Sequence, residues 1–134
     1  MSQEKFELKD ILGNLKPRIL EGSFVFTTSN DELVHLMKTF KPIATFREEE
    51  GITLVISKDE ADKFNIKYDS LFCCISLGVH SSLNSYGLIS SISSELTKKK
   101  ISSNVFSGFY HDHIFVQADL ADTALQVINS LDHS

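Results

Sequence analysis

The same order of elements occurs twice along the chain, and this repeat restricts the fold more than any other feature of the sequence. Hydrophobicity patterns predict strand, helix, strand, strand and helix in the first half, and the same order in the second. The segments ITLVISKDEA and HIFVQADLADTA each run from an apolar strand into a polar helix cap, and they lie about 60 residues apart. We therefore expect a duplicated βαββα unit.

The first half contains a leading helix and one such unit. Residues 6–17, FELKDILGNLKP, have apolar side chains at helical spacing and end at a proline. The strand SFVFTT follows, and Ser29 and Asn30 offer an N-cap to the helix DELVHLMKTF. A hairpin with its bend at Glu49–Gly51 comes next, and the capping-box pattern of Ser57–Glu60 then begins a short helix.

The second half repeats this order. The strand LFCCISLGV precedes a helix from about Asn84 to Lys99, in which Leu88, Ile92 and Leu96 recur at steps of four residues. Two strands, around NVFSGFY and HIFVQ, lead to a last helix from about Asp119 to Leu131. Each unit thus has antiparallel strands with one face to be covered by two helices, which predicts the α+β class.

Neither unit is large enough to be stable alone. The chain has 134 residues, and a unit of half that size buries only a small core. Because no linker rich in proline or glycine separates the halves, we expect one compact body. Its N-terminal unit would contain residues 1–67 with the leading helix, and its C-terminal unit residues 68–134.

Charge and hydropathy exclude several classes of protein. The formal net charge is −5, whereas nucleic-acid binding needs a concentrated Lys/Arg surface. No apolar run reaches the roughly 18–20 residues of a membrane span, and the first residues are charged where a signal peptide is apolar. We therefore expect a cytoplasmic protein with no nucleic-acid or membrane partner. The basic run Lys98–Lys100 and the acidic run Glu48–Glu50 fit a helix end and a solvated turn, although the glutamates could also bind a cation.

Two groups of residues could carry chemistry. Cys73 and Cys74 are adjacent, which excludes a disulfide framework and favours two packed small residues over a reactive thiol. His111, Asp112 and His113 could form a metal clip or an acid–base group, since residues two apart share one face of a strand. A metal site needs three or four ligands and no further cluster follows, so we expect no metal and no catalysis.

Three segments resemble a known family, the two-unit ACT-domain proteins. They are LKPRILEGSFVF, FREEEGITLVI and VHSSLNSYGLISSISSELTKKKISSNVFSGFYHDHIFV, and the likeness extends over nearly the whole chain. The resemblance implies tandem ferredoxin-like units with a regulatory rather than catalytic function, based on binding a small ligand that is usually an amino acid. ACT units commonly associate, and sheet edges need cover, so we also expect a homodimer.

The resemblance further implies where the ligand binds. ACT domains place it at the loop between the first strand and the first helix of a unit, where an acidic or amide residue is followed by a spacer residue, Pro, Gly and an aliphatic residue. Residues Asn84–Leu88 occupy that pattern, with Tyr86 at the position where proline is usual. An asparagine at the start of the next strand completes the pattern, and Asn104 occupies this position.

Elementary chemistry supports a ligand at this loop. A helix N-terminus presents unpaired N–H groups and partial positive charge, which suit a carboxylate, and Gly87 would let a ligand approach the backbone. Neighbouring polar side chains could hold an ammonium or an amide. The expected ligand-binding residues are His80, Ser81, Ser82, Asn84, Ser85, Tyr86, Gly87, Leu88 and Asn104. The alternative is that the serines and Asn84 only cap the helix and Gly87 only allows close packing.

The favoured function is therefore a regulatory module that binds a small amino acid or similar carboxylate and acts through self-association or a partner protein. Three other functions stay open: a structural interaction module without a ligand, a small enzyme that uses His111–His113, and a nucleic-acid binder of related fold. The sequence has no recognisable nucleophile–base pair, phosphate-binding glycine loop or RNA-binding aromatic motif, which disfavours the last two.

Overall fold

The hydrophobic pattern forms seven strands and five α-helices within residues 8–131, the part of the chain that the computed structural model describes. The start of the predicted leading helix, Phe6 and Glu7, lies outside the described residues. In chain order the elements are α1 (Leu8–Leu12), β1 (Pro17–Ile19), β2 (Phe24–Ser29), α2 (Leu33–Thr39), β3 (Ala44–Glu48), β4 (Gly51–Ser57), α3 (Lys58–Lys63), β5 (Phe72–Leu77), α4 (Leu88–Lys98), β6 (Asn104–Ser107), β7 (Asp112–Gln117) and α5 (Ala121–Ser130). A 3₁₀ turn, Ala118–Leu120, precedes α5.

The elements divide between two units. Residues 22–72 form one unit, which we call the central unit. The described residues before and after it, 8–21 and 73–131, group together as the split unit. Each unit contains the order strand, helix, strand, strand, helix with antiparallel pairing, so the predicted α+β fold of tandem βαββα units is confirmed.

The central unit has β4 in the middle of its sheet, with β2 and β3 antiparallel on either side. Alternate residues of β4, Ile52, Leu54 and Ile56, turn to one face and pack with Leu36 of α2 and Ala61 of α3. This face is the apolar one that the helices cover. The turn between β3 and β4 lies at Glu49 and Glu50, as the sequence predicts.

One of the two predicted helix caps in the central unit is wrong. Ser57 does accept a hydrogen bond from the Glu60 amide, at 3.1 Å, and caps α3. The N-cap of α2 is instead Glu32, without a side-chain hydrogen bond, because the Ser29 hydroxyl accepts from the Asp31 amide before the helix begins. Ser29 therefore forms a local turn and neither it nor Asn30 is the N-cap of α2.

The split unit has β5 between β1, which pairs antiparallel with it, and β7, which pairs in turn with β6. In its core, the apolar faces of the helices pack against buried residues of the strands. The buried members include Ile11, Leu15, Ile75, Leu88, Ile92, Leu96, Ile114, Val116, Ala124 and Ile128. The predicted spacing of Leu88, Ile92 and Leu96 is thus confirmed as a buried stripe.

The leading helix belongs to this core, whereas the sequence assigns it to the first half of the chain. Ile11 and Leu15 are buried in the same cluster as Ile92 and Leu96, and β1 supplies a strand beside β5. Helical spacing identifies an apolar face but not the surface which that face covers, so the sequence pattern could not decide between the two units.

The start of α4 also differs from the prediction, because the helix begins at Leu88 and not at Asn84. Residues 83 and 84 instead form a turn, which is closed by the Ser85 amide donating to the Ser82 carbonyl oxygen at 3.0 Å. Among the residues that the structure describes, none of the helices combines the length and hydrophobicity needed to cross a membrane.

Candidate functional site

A cavity with a volume of about 210 Å³ opens at the N-terminal end of α4 in the split unit. It is lined by the loop before α4, the first turn of that helix, the end of β6 and the start of β7. Six of the predicted ligand-binding residues line it: Ser81, Ser82, Ser85, Tyr86, Gly87 and Leu88. The sequence therefore predicts the loop on which the cavity is built.

Three of the predicted residues do not line this cavity. The His80 ring packs against Tyr110, with ring centroids 5.8 Å apart. Asn84 lies in the turn of the loop, where its backbone amide donates to the Ser82 hydroxyl at 3.1 Å. Asn104 lies at the start of β6, where its side-chain amide donates to the Phe115 carbonyl oxygen at 3.4 Å. It is the other end of β6, at Ser107, that lines the cavity.

The residues that the sequence did not predict are Leu83, Ile89, Ser90, Ser107 and Asp112. Ser107 and Asp112 face each other as the last residue of β6 and the first of β7. Hairpin register brings these two residues to the same end of the sheet as the loop before α4. The sequence singles out Asp112 only as part of the His-Asp-His segment, and the pairing of the two strands reveals that both residues meet the loop.

Asp112 is the charged residue of the cavity. Its strand alternates, with Ile114 and Val116 buried in the core, so Asp112 lies on the same face, at the point where the core gives way to the cavity. The residue is 9% exposed, and its carboxylate accepts from the Ser81 hydroxyl at 3.4 Å. The alternation of Asp112 with these apolar residues was the available sequence signal.

The N-terminus of α4 faces the cavity without a side-chain cap. Its N-cap residue is Gly87, and within the described residues no side chain caps the helix with a hydrogen bond. The first backbone bond of the helix runs from the Ser91 amide to the Gly87 carbonyl oxygen, at 3.0 Å. The amides of residues 88–90 precede that bond and so have no acceptor within the helix. These residues line the cavity, so the positive end of the helix dipole borders it.

Gly87 is required by the backbone and by packing. Its φ is +98°, a left-handed value that residues with a side chain rarely adopt. A Cβ added here would lie 3.2 Å from Leu8 Cδ2 of α1. The missing side chain therefore makes room for α1, which is the close packing that the sequence offers as the alternative to ligand approach.

Comparison with known proteins identifies the family. One ACT-domain model matches residues 5–73 and a second matches residues 70–130. The chain belongs to the ACT-domain family. No curated protein matches it.

Solved structures similar to this ACT-domain protein include one from Vibrio cholerae, a protein of unknown function described as a possible transport protein. The two sequences are 39% identical, and the match covers 93% of this chain and 95% of that one, with a TM-score of 0.85. A protein from Agrobacterium tumefaciens is 17% identical over 89% of this chain and 90% of its own, with a TM-score of 0.72. Clostridium acetobutylicum aspartate kinase, an allosteric enzyme, is 12% identical over 87% of this chain and 33% of its own, with a TM-score of 0.63.

The His-Asp-His segment of this ACT-domain protein is not assembled into one site. His111 Nδ1 lies 3.3 Å from the Val79 carbonyl oxygen, and His113 Nδ1 lies 2.7 Å from the Ser76 hydroxyl, while Asp112 contacts Ser81. Adjacent residues of a strand point to opposite faces, so Asp112 and His113 are directed apart. Among the side chains that the structure describes, no group of three His, Cys, Asp or Glu residues could hold a metal.

Burial governs the titration of the other reactive groups in the split unit. Burial lowers the pKa of His113. The neighbouring His111 and Arg18 lower this pKa further, whereas Asp112 raises it. Burial also raises the pKa of Cys73 and Cys74, both of which are free thiols. A raised pKa reduces the thiolate fraction at neutral pH, which fits two packed cysteines better than a reactive one.

Replacing Gly87 by alanine should test the structural role of this residue in the ACT fold. We expect Gly87→Ala to lower the free energy of unfolding by at least about 1 kcal/mol, because of the left-handed backbone and the contact with Leu8. Urea unfolding followed by circular dichroism measures the change.

Gly22→Ala is the matched control, since Gly22 has a φ of +85° but no atom within 4 Å of its added Cβ. Gly87→Ala should lower the free energy of unfolding by more than this control does. Combining Gly87→Ala with Leu8→Ala should recover part of the difference in a double-mutant cycle. Equal costs at the two glycines, with no coupling to Leu8, would show that the close contact is not what requires Gly87.

Proposed function

We propose that this ACT-domain protein is a regulatory module that binds a small amino acid or a similar carboxylate in the cavity at the N-terminus of α4. The observation that carries the proposal is the helix end itself, which is uncapped by any described side chain and borders a cavity. Binding there would be passed on through self-association or through a partner protein.

The chemistry of the helix end favours a carboxylate. The amides of residues 88–90 can donate to its oxygens, and the partial positive charge of the helix adds to these charge-assisted bonds. The cavity volume of about 210 Å³ lies below the range of roughly 300–1,000 Å³ for drug-sized ligands, so a small molecule fits better than a nucleotide. Clostridial aspartate kinase, which shares the fold, is described as allosteric, and this supports a regulatory role.

A ligand screen tests the proposal directly. The melting temperature should be measured with each of the twenty standard amino acids at millimolar concentration, because a ligand that binds only the folded state raises it. We expect at least one small amino acid to raise it by about 10 °C at about 100 times its Kd. No shift with any amino acid, and no heat in calorimetric titrations, would favour a structural interaction module without a ligand.

Two variants of β6 show whether a positive signal comes from this cavity. Ser107→Tyr places a ring at a residue that lines the cavity, in a strand position that tolerates aromatic side chains, and should abolish the shift. Asn104→Ala changes the same strand outside the cavity, at the residue that the ACT pattern assigns to the ligand, and should preserve it. The reverse outcome would move the ligand to Asn104.

Self-association is part of the proposed mechanism. In the central unit, Val34, Met37 and Phe46 are large apolar side chains with more than half of their surface exposed, and Phe46 lies on a strand, β3, at the edge of the sheet. Sheet edges and exposed apolar side chains are commonly covered by a second copy. A ligand that binds two association states unequally would shift the equilibrium between them.

We therefore expect light scattering at micromolar concentration to give a mass about twice the 15.0 kDa of one chain. A mass of one chain at every concentration tested, with and without the amino acid found in the screen, would exclude self-association. Regulation would then have to act on a partner protein.

A further inference from the structure

The buried carboxylate of Asp112 has no charged partner in the cavity. Among the described residues that line the cavity, none is a lysine, an arginine or a histidine. The Ser81 hydroxyl donates to Asp112 over 3.4 Å, which is longer than a strong hydrogen bond to a carboxylate. Asp112 is 9% exposed, and a buried carboxylate is normally compensated by a cation or by several donors. The cavity thus has room for a cation beside Asp112.

The opposite charge is provided by the N-terminus of α4, which borders the same cavity. Its amides at residues 88–90 and the dipole of an 11-residue helix attract a carboxylate. A ligand that carried only a negative charge would be attracted by the helix but repelled by Asp112. A ligand that carried only a positive charge would be attracted by Asp112 but repelled by the helix end. Both poles are matched by a small zwitterion.

We propose that the cavity distinguishes α-amino acids from 2-hydroxy acids of the same size, and that Asp112 is the residue that decides this specificity by accepting hydrogen bonds from the ligand's ammonium group. This inference rests on the proposed function, since it concerns the same cavity. The inference goes beyond the proposed function because the helix end alone would bind any small carboxylate, whether or not the ligand carried an ammonium group.

Isothermal titration with matched pairs of ligands tests the inference on the wild-type protein. The pairs are glycine and glycolate, L-alanine and L-lactate, and L-serine and L-glycerate. In each pair the ammonium group is replaced by a hydroxyl group and the rest is kept. We expect the amino acid that binds to do so about 10–100 times more tightly than its hydroxy acid.

The two proposals fail in different ways. Equal affinities within the pairs, or tighter binding of the hydroxy acids, would overturn the role of the ammonium group and leave a carboxylate site. Absence of binding for all six compounds, together with no shift in melting temperature for any of the twenty amino acids, would overturn the small-ligand site itself, and with it the specificity.

Asp112→Asn then assigns the specificity to one residue. Its amide keeps the size of the side chain but loses the charge, so affinity for the amino acid should fall about 10–100 times while affinity for the hydroxy acid should not fall. Asp119→Asn is the control, because it removes the same charge from an exposed residue outside the cavity and should leave both affinities unchanged. An unchanged ratio in a folded Asp112→Asn protein would overturn the assignment, and the wild-type pairs decide the specificity if that variant does not fold.

Discussion

The whole candidate site depends on the way α4 begins. Gly87 adopts a left-handed backbone conformation that ends the preceding loop, and its lack of a side chain admits Leu8 of α1. A serine or aspartate at that position would cap the helix, but it would be strained by the left-handed backbone and would crowd Leu8 of α1. Packing thus leaves the helix end without a side-chain cap, and residues 88–90 line a cavity instead.

The register of one hairpin completes the site. Pairing of β6 with β7 sets Ser107 opposite Asp112, and strand alternation turns Asp112 to the helix-covered face while His113 points away. A shift of one residue would exchange the two side chains and replace a carboxylate in the cavity by an imidazole. The buried Ile114 and Val116 oppose such a shift, because it would take both out of the core. Core packing therefore also fixes the charge of the cavity.

Much of this fold follows from periodicity in the sequence, but the site follows only in part. The repeated order of elements and the buried stripe of α4 depend on local spacing, and both are present in the structure. The loop of the cavity was also predictable, since serines, an asparagine and a glycine before an apolar stripe indicate a helix start. What local pattern could not show is contact between distant segments. Leu8 packs against Gly87, and Asp112 meets Ser81, across long stretches of chain. The ACT pattern pointed to Asn104, which lies on the right strand but at its far end.

The central claim is that a carboxylate binds to the open end of α4, and backbone NMR tests it most directly. Amide shifts of the ¹⁵N-labelled protein should be followed during titration with the amino acid that raises the melting temperature most. The account predicts the largest changes in chemical shift at the amides of residues 88–90, because they would donate to the carboxylate. Smaller changes are expected at Ser81 and Ser107, which line the same cavity. Changes confined to the central unit, or to Asn104 with the α4 amides unaffected, would contradict it.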